Sequence, residues 1–344
     1  MSSPSVQRLV QVDALRGLAA MAVVLFHYTT QFTLLYPSGT GSGPSVFFPD
    51  GHYGVNLFFI VSGFVIFMTL ERTRQPMDFV VSRFSRLFPA YWVAIFLTFF
   101  VTHLLGLPGK LVGLETAFAN MLMLHGLLRV PHVDGVYWTL EVELLFYLGM
   151  FILYRMQRLD RIHLVLFGLL VLRLVYYVLE KQFGISLPWI LFRLMILQYI
   201  PWFTLGISVY LASHRSGPKA WHRPAQTAAM AILTLLVCES AFVAALAVAL
   251  ATAVLFAAKG RLPVLGFAPF VWLGTVSYPL YLLHENIGWA IQLQLRATGL
   301  SMDLVIAAAL CASLVLAGAL TRWVVQPAMR WIRTRYKNRA HLNR

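Results

Sequence analysis

Long apolar segments recur along the whole chain and are separated by short polar breaks in which arginine and lysine are frequent. Most segments approach or exceed the length of about 20 residues that an α-helix needs to cross the hydrocarbon core of a bilayer. The pattern therefore predicts an all-α integral membrane protein with about ten transmembrane helices. The predicted spans lie near residues 9–35, 53–71, 88–106, 138–155, 163–179, 189–212, 225–238, 241–258, 264–295 and 302–326.

Two stretches are ambiguous in this pattern. Residues 225–258 are almost continuously apolar, too long for one span, and both of their ends adjoin basic loops. They are predicted to form a hairpin that turns near Cys238. Residues 107–137 contain a shorter apolar run at 117–128. Because the basic loops alternate correctly only if this run does not cross, it is predicted as a short re-entrant or interfacial helix on the outer side.

Basic residues are distributed unequally between the two sides of the predicted bundle. Of the 27 lysines and arginines, 19 fall on one side, 4 on the other and 4 within spans. Since positive residues collect on the cytoplasmic side, both termini are predicted to be cytoplasmic. Residues 1–326 then form one polytopic domain, and residues 327–344 form a basic cytoplasmic tail in contact with lipid headgroups. The expected location is the plasma membrane, the inner membrane of a bacterium.

Composition supports a membrane protein, and it argues against a nucleic-acid-binding protein and against a domain held by disulfides or a metal. The chain is 59% hydrophobic and 12% charged, with a mean hydropathy of +0.74, which is typical of a membrane protein. Its net charge of +14 follows the predicted topology, so nucleic acid is not an expected partner. Cys238 and Cys311 both lie in apolar runs, which gives neither a disulfide framework nor metal-ligand spacing. No metal cofactor is expected.

The first span carries three charged or titratable side chains, Asp13, Arg16 and His27. Polar groups at that depth are expensive and usually functional. Arg16 and His27 are 11 positions apart, about three helical turns and roughly 16 Å, so they point to one side of the helix. The sequence therefore predicts a polar stripe along this helix.

Five segments follow one another along the chain: DALRGLAAMAVVLFHY at 13–28, GVNLFFIVSGFVI at 54–66, RFSRLFPAYW at 83–92, YWTLEVELLFY at 137–147 and SYPLYLLH at 277–284. In this order they resemble the signature of the membrane acyltransferase family three. The resemblance implies transfer of an acyl group, commonly acetyl, from cytoplasmic acyl-CoA to a hydroxyl group. The implied acceptor is a carbohydrate or lipid-linked glycan, or in some members a small molecule such as a macrolide.

His27 is the leading candidate for a general base, because imidazole accepts a proton near neutral pH. The alternative is a hydrogen-bonded core histidine. The family pattern places its acid at Glu143, which would orient or charge-balance His27. Arg16 would stabilise a carbonyl or phosphate on the donor side, or pair structurally with Asp13.

The donor is expected to bind at the cytoplasmic end of the third span. Arg83 and Arg86 are three positions apart and present two guanidiniums to the phosphates of CoA. Ordinary positive-inside anchors or contacts with lipid headgroups are the alternative. Ser62 and Gly63 on the second span are small enough to admit a pantetheine arm or a close helix contact.

The acceptor is expected to meet residues from two motifs. Trp138 and Tyr147 flank Glu143 in the fourth span. Ser277, Tyr281 and His284 share a face of the ninth span. His284 is a second possible base or an acceptor ligand, or it forms a structural hydrogen bond between helices.

The sequence thus predicts transfer of the acyl group from acyl-CoA to an outer hydroxyl, with His27 taking the proton. It leaves open whether the transfer is direct or passes through an acyl-enzyme intermediate. A rival interpretation is a transporter or flippase for a glycan or lipid, which would also have about ten spans with buried polar residues. No inverted repeat with paired interrupted spans is evident, which disfavours it. The lipid bilayer is an expected partner, and the sequence leaves the oligomeric state open.

Overall fold

The computed structural model describes residues 4–37, 43–185, 188–214 and 221–342, and these form helices and turns without a β-strand. The prediction of an all-α protein is therefore confirmed for this part of the chain. The α-helices in chain order are α1 (Pro4–Leu25), α2 (Phe32–Leu35), α3 (Gly54–Arg72), α4 (Pro76–Leu105), α5 (Leu114–Asn120), α6 (Trp138–Arg155), α7 (Ile162–Phe183), α8 (Trp189–Leu194), α9 (Ile200–His214), α10 (His222–Cys238), α11 (Ala241–Ala258), α12 (Ala268–Leu283), α13 (Glu285–Arg296), α14 (Met302–Leu320) and α15 (Gln326–Leu342).

Seven helical stretches within the described ranges are long and apolar enough to cross a membrane. An eighth apolar helix, Ala268–Leu283, is shorter. The multi-pass class predicted from hydropathy agrees with this, whereas the count of ten spans and the orientation of the termini stay predictions. The seven stretches are Val10–Leu35, Pro49–Arg72, Pro76–Leu105, Gly135–Arg155, Leu159–Phe183, Ala241–Ala258 and Met302–Arg339.

The predicted hairpin in the apolar stretch 225–258 is confirmed. Helix α10 ends at Cys238, and α11 begins at Ala241. Ser240 caps α11, because its side chain accepts a hydrogen bond from the backbone N–H of Val243 at 3.2 Å. The turn therefore falls where the apolar run is briefly polar.

Two predicted spans are broken. The prediction of one helix over 189–212 is wrong, because α8 ends at Leu194 and α9 begins at Ile200. Pro201 has no N–H and is tolerated in the first turn of a helix but not in its interior. The ninth span divides at His284, although Pro279 lies inside α12. The break thus falls at a candidate site residue and not at a proline.

Helix boundaries also differ around the other motifs. Helix α4 begins at Pro76, so Arg83 and Arg86 lie inside a helix of 30 residues. The segment 107–137 contains the short helix α5, a run of turns and a 3₁₀-helix at Gly135–Tyr137. Its re-entrant or interfacial position stays a prediction. The basic tail is helical, because α14 passes through a π-helix at Thr321–Val325 into α15.

Tertiary contacts divide the chain into two compact units. Unit one comprises Met1–Arg16, Asn56–Pro76 and Val142–Val271, and unit two comprises Gly17–Val55, Met77–Glu141 and Trp272–Arg344. Within unit one, α9 is buried from Ile200 to Leu211 and packs against α10 and α11. A Cβ on Gly206 would overlap the carbonyl oxygen of Ile60, so α3 and α9 approach at backbone distance.

Unit two is built on a similar close approach. A Cβ on Gly17 would overlap the backbone nitrogen of Gly274, so α1 and α12 cross at a pair of glycines. Helix α13 packs against α14 and against the π-helix Phe26–Gln31. These contacts bring the end of the first long helix to the break at His284.

Candidate active site

His27 lies in a π-helical turn of unit two. Residues Phe26–Gln31 form a π-helix that interrupts the first long helix, and His27 is 8% exposed there. Short π-helical turns are rare and frequently occur at functional sites. The backbone carbonyl of His27 accepts a hydrogen bond from Nε1 of Trp289 at 2.9 Å. The imidazole is therefore carried on an irregular but firmly packed segment.

His27 is in direct contact with His284. The Nδ1 atom of His27 lies 2.7 Å from Nε2 of His284. The other ring nitrogen of His284, Nδ1, lies 2.9 Å from the carbonyl oxygen of Tyr281. Because a carbonyl only accepts, this network assigns the proton of neutral His284 to Nδ1 and leaves its Nε2 as an acceptor.

The tautomer of His27 follows from that contact. Since His284 accepts at Nε2, neutral His27 donates from Nδ1 and keeps the lone pair on its own Nε2. A buried neighbour that fixes the tautomer and ring orientation is the arrangement that a histidine general base needs. The Tyr28 hydroxyl adds a further restraint, because it donates to the backbone carbonyl of His284 at 2.8 Å.

The basic nitrogen of His27 faces a buried pair of carboxyl groups. Its Nε2 lies 3.7 Å from Oε2 of Glu285, and Glu285 is hydrogen bonded to Asp134. Two carboxyl groups can share a hydrogen bond only if one of them holds a proton. Asp134 accepts backbone N–H groups from Asn286 and Val136 at 3.1 and 3.2 Å. These donors favour ionised Asp134, which leaves the proton on Glu285.

Within unit two, the negative charge of the Asp134 and Glu285 pair is close to balanced by the positive charge of Lys110. Burial raises the pKa of Asp134 to about 6, against the opposing effects of its backbone hydrogen bonds and of Lys110. At neutral pH the Asp134 and Glu285 pair therefore carries one negative charge. Lys110, whose Nζ lies 5.1 Å from the centre of a Trp289 ring, supplies one positive charge on the same side.

Three further residues predicted for the acceptor site lie in unit two, where Ser277 and Tyr281 are buried. Ser277 donates to the carbonyl of Gly274 at 2.8 Å within its own helix. The Tyr281 hydroxyl lies 2.9 Å from Oγ1 of Thr139. Trp138 begins α6 and is half-buried. Ser277 and Tyr281 thus contact protein groups, while His284 faces His27.

Glu143 lies in unit one, in a polar cluster of its own. Its Oε1 accepts a hydrogen bond from the Ser62 hydroxyl at 2.9 Å and another from the hydroxyl of Tyr147. Ser62, Glu143 and Tyr147, which the sequence predicted from the segments 54–66 and 137–147, are therefore in contact. Gly63 faces the backbone of α9 beside Phe203, a geometry that supports close helix packing.

Arg16 also belongs to unit one. Its Nη1 atom lies 3.8 Å from Oδ1 of Asp13, and the two side chains are 14% and 54% exposed. An exposed partner in this arrangement contributes little stability. The i, i+3 pairing is therefore present, as the structural alternative anticipated, and it leaves the guanidinium largely shielded.

Arg83 and Arg86 lie on successive turns of α4 in unit two. Both are half-buried. The Arg83 guanidinium donates to the Ser82 hydroxyl at 3.2 Å and lies 5.9 Å from the centre of the Phe79 ring. Part of the Arg83 side chain is thus packed against its own helix.

Several residues of this arrangement escape sequence reasoning. Glu285 directly follows the recognised SYPLYLLH segment, and Asp134 lies three positions before the YWTLEVELLFY segment. The position of Glu285 was a signal, since a carboxylate beside a motif histidine is a candidate partner. Lys110 and Trp289 carried no such signal.

Among the described residues, neither a metal site nor a cavity adds a further catalytic group. No group of three or more His, Cys, Asp or Glu side chains within the described ranges is placed to hold a metal ion. A cavity of about 320 Å³ in unit one is lined by apolar side chains between Leu145 and Ile200. Its lining offers no base or oxyanion donor.

Comparison with known proteins gives a family match and several similar proteins. Residues 9–323 match the profile of acyltransferase family three, described as an acyltransferase domain. A protein of Acidianus two-tailed virus that carries the name of an acetyltransferase is 26% identical over 222 residues, which are 61% of this chain and 60% of that protein. No solved structure gives a significant match.

Two rhizobial proteins are also similar. The exopolysaccharide production protein ExoZ of Rhizobium meliloti (strain 1021) is 32% identical over 108 residues, 29% of this chain and 33% of that protein. Protein 2 of the picA locus of Rhizobium radiobacter is 32% identical over 146 residues, 38% of this chain and 69% of that protein. The chain thus matches about three fifths and one third of the length of the viral protein and ExoZ, respectively.

Proposed function

Because the chain belongs to acyltransferase family three, we propose that it is a membrane-bound O-acyltransferase that uses acyl-CoA from the cytoplasm. The proposed acyl group is acetyl, and the proposed acceptor is a hydroxyl group of an extracytoplasmic carbohydrate or glycolipid. The family match over residues 9–323 supports the reaction class. The name of the rhizobial exopolysaccharide production protein supports a polysaccharide acceptor.

The observation that carries the chemical proposal is the contact between His27 and His284. It leaves a lone pair on Nε2 of His27, so this nitrogen removes the proton from the acceptor hydroxyl. The acceptor oxygen then attacks the thioester carbonyl carbon. When the C–S bond breaks, the protonated His27 returns its proton to the CoA thiolate, and the products are an ester and CoA thiol.

The carboxyl pair has a supporting role in this proposal. While His27 is protonated, the single negative charge shared by Asp134 and Glu285 stabilises the imidazolium. Glu285 is thus an acidic neighbour of His27 within unit two. The prediction that Glu143 orients His27 stays a prediction, and we propose in addition that the cluster of Glu143 with Ser62 and Tyr147 binds a polar group of the donor or acceptor.

Arg83, Arg86 and Arg16 are proposed to contact the donor. Guanidiniums suit the phosphate groups of CoA because they donate parallel hydrogen bonds and stay charged. Arg16 is shielded, and its ion-pair partner in the described part of the chain is the exposed carboxylate of Asp13, so it can turn toward a thioester carbonyl without leaving a buried anion behind. Trp138, Ser277 and Tyr281 are proposed to shape the acceptor side.

The test uses purified protein in lipid nanodiscs with acetyl-CoA labelled on the acetyl group. We expect the wild type to release CoA thiol and to label a glycan fraction from the native membrane. His27→Ala should lower the turnover rate by about 10²- to 10⁴-fold, the usual contribution of a general base. His103→Ala is the matched control, since His103 is exposed on α4. Wild-type turnover by the His27→Ala variant would contradict the assignment of His27 as the general base.

Mass spectrometry of cell-surface glycans identifies the acceptor. Cells that lack the protein should lose a mass increment equal to one acyl group on a defined glycan, and wild-type protein should restore it. His27→Ala should not restore it. An unchanged glycan profile would contradict a polysaccharide acceptor and direct attention to a small-molecule acceptor of the macrolide kind.

A further inference from the structure

The basic tail is not uniformly solvent-facing. Helix α15 (Gln326–Leu342) carries Arg333, which is half-buried, between the exposed Arg330 and Arg335. The Arg333 Nε–H donates to the Ser85 hydroxyl at 3.1 Å, and Ser85 is completely buried. One residue of the tail is therefore directed into the side of α4.

Arg333 and Arg83 converge on the same turn of α4. Arg333 Nη2 lies 3.5 Å from the Ser82 carbonyl oxygen, and Arg83 donates to the Ser82 hydroxyl at 3.2 Å. The two guanidiniums are close enough to repel each other. Arg86 adds a third positive charge one turn further along α4. Like charges brought together in this way favour an anion at the same place.

The contacts of Arg333 do not neutralise it. Its hydrogen-bond partners are a hydroxyl and a carbonyl oxygen. The Tyr336 hydroxyl of α15 also lies near the Asp78 carboxylate of α4. That carboxylate is exposed and lies on the first turn of α4. Helix α15 is thus held along the start of α4, with the Arg333 charge available to a ligand.

We propose that Arg333 is a third phosphate-binding guanidinium, which joins Arg83 and Arg86 to hold the phosphate groups of the acyl-CoA donor. This inference rests on the proposed function, because it names a further residue of the proposed donor site. Three guanidiniums on two helices suit a ligand with several phosphates better than a single headgroup. The hydrogen bond to the Ser85 hydroxyl fixes the direction of the planar Arg333 guanidinium.

The experiment measures equilibrium binding of labelled CoA to the intact protein in nanodiscs of neutral phosphatidylcholine. Arg333→Gln should raise the dissociation constant about tenfold or more, the usual effect of losing a hydrogen bond to a charged group. Arg335→Gln is the matched control: it removes the same charge from the same helix at a position that is exposed and lies over Trp331. Its dissociation constant should stay within about twofold of wild type.

Further variants separate binding from folding. Ser85→Ala keeps the charge of Arg333 but removes its anchor, so it should weaken CoA binding by a smaller factor than Arg333→Gln. Thermal unfolding of each variant without CoA identifies loss of fold. If Arg333→Gln is unstable, Arg333→Lys keeps the charge without the planar guanidinium and should bind CoA with intermediate affinity. Wild-type affinity in a folded Arg333→Gln or Arg333→Lys protein would overturn the proposal.

Nanodiscs with phosphatidylglycerol distinguish a lipid headgroup from the donor. If Arg333 binds donor phosphate, the loss of CoA affinity in Arg333→Gln appears in neutral lipid as well. If it binds a headgroup, anionic lipid stabilises wild type more than the variant, and CoA affinity in neutral lipid is unaffected, which contradicts the proposal. A wild type that binds CoA in an Arg333-dependent way but transfers no acyl group would refute the proposed function alone.

Discussion

At the residue scale, the decisive feature is that His284 fixes the tautomer of His27. His284 accepts at Nε2 because its Nδ1 faces a carbonyl oxygen, and His27 therefore presents its own Nε2 lone pair. The tautomer of His27 therefore cannot be deduced without the contacts of His284. In the proposed reaction, His27 is the catalytic base and His284 is a positioning residue.

We predict that His284→Ala lowers the turnover number by about ten- to a hundredfold, with little change in KM, because the base loses its orientation but the binding residues remain. His284→Gln should recover part of the loss, since its amide oxygen can accept the proton of His27 Nδ1. Steady-state kinetics with acetyl-CoA provide the measurement. Equal losses in both variants would indicate that His284 contributes only packing.

A residue in a motif is predictable from sequence, but its partner is not. His27, Glu143, Arg83 and His284 stand out because polar side chains in apolar segments are costly. Glu285 was missed although it is next to His284, because the recognised segment ended one residue earlier. Arg333 was missed because a tail with six basic residues does not indicate which of them turns inward.

At the element scale, helix contacts depend on a few small residues. Gly206 of α9 lies against the Ile60 carbonyl of α3 in unit one, where any Cβ would overlap backbone. Backbone atoms cannot rotate away as a flexible side chain does. The packing of α3, which carries Ser62, therefore depends on this glycine.

We predict that Gly206→Ala lowers the free energy of unfolding by about 1–3 kcal/mol, the usual cost of overpacking. Gly168→Ala is the control, because Gly168 is also helical and a Cβ there meets nothing within 4 Å. It should be neutral or slightly stabilising, since alanine favours helix more than glycine does. Thermal unfolding in the same detergent checks both, and equal midpoints would contradict the close contact.

The π-helix at Phe26–Gln31 and the break at His284 show where sequence patterns fail at this scale. The length of the apolar stretch 225–258 and the basic loops at both of its ends predicted the hairpin near Cys238. The apolar pattern did not predict the π-helical turn, whose sequence FHYTTQ contains neither glycine nor proline. Hydrogen bonds from Trp289 to His27 and from Tyr28 to His284 stabilise these irregular segments from outside.

At the scale of the whole molecule, the charge distribution is the main guide to orientation. The excess of arginine and lysine on one side predicts that both termini face the cytoplasm. The proposed reaction depends on that orientation, because it assigns the donor to the side of Arg83 and the acceptor to the side of His27.

We predict that a fluorescent protein fused after Arg344 folds and fluoresces, while alkaline phosphatase at the same position is inactive, because the former folds in the cytoplasm and the latter requires export. Fusions within the predicted outer segment near Leu111 should behave in the opposite way. The same result at both positions would contradict the predicted topology.

The sequence by itself determined the class of this protein, its helical make-up, the hairpin at 225–258 and, through five ordered segments, its family. These are properties of local hydropathy and of residue order, which need no knowledge of contacts. Only the tertiary structure decided that His27 meets His284, 257 positions away, that Glu285 and Asp134 form a buried pair, and that Arg333 reaches Ser85. Such pairings depend on how each helix is rotated and where it breaks, and these are set by packing between distant segments.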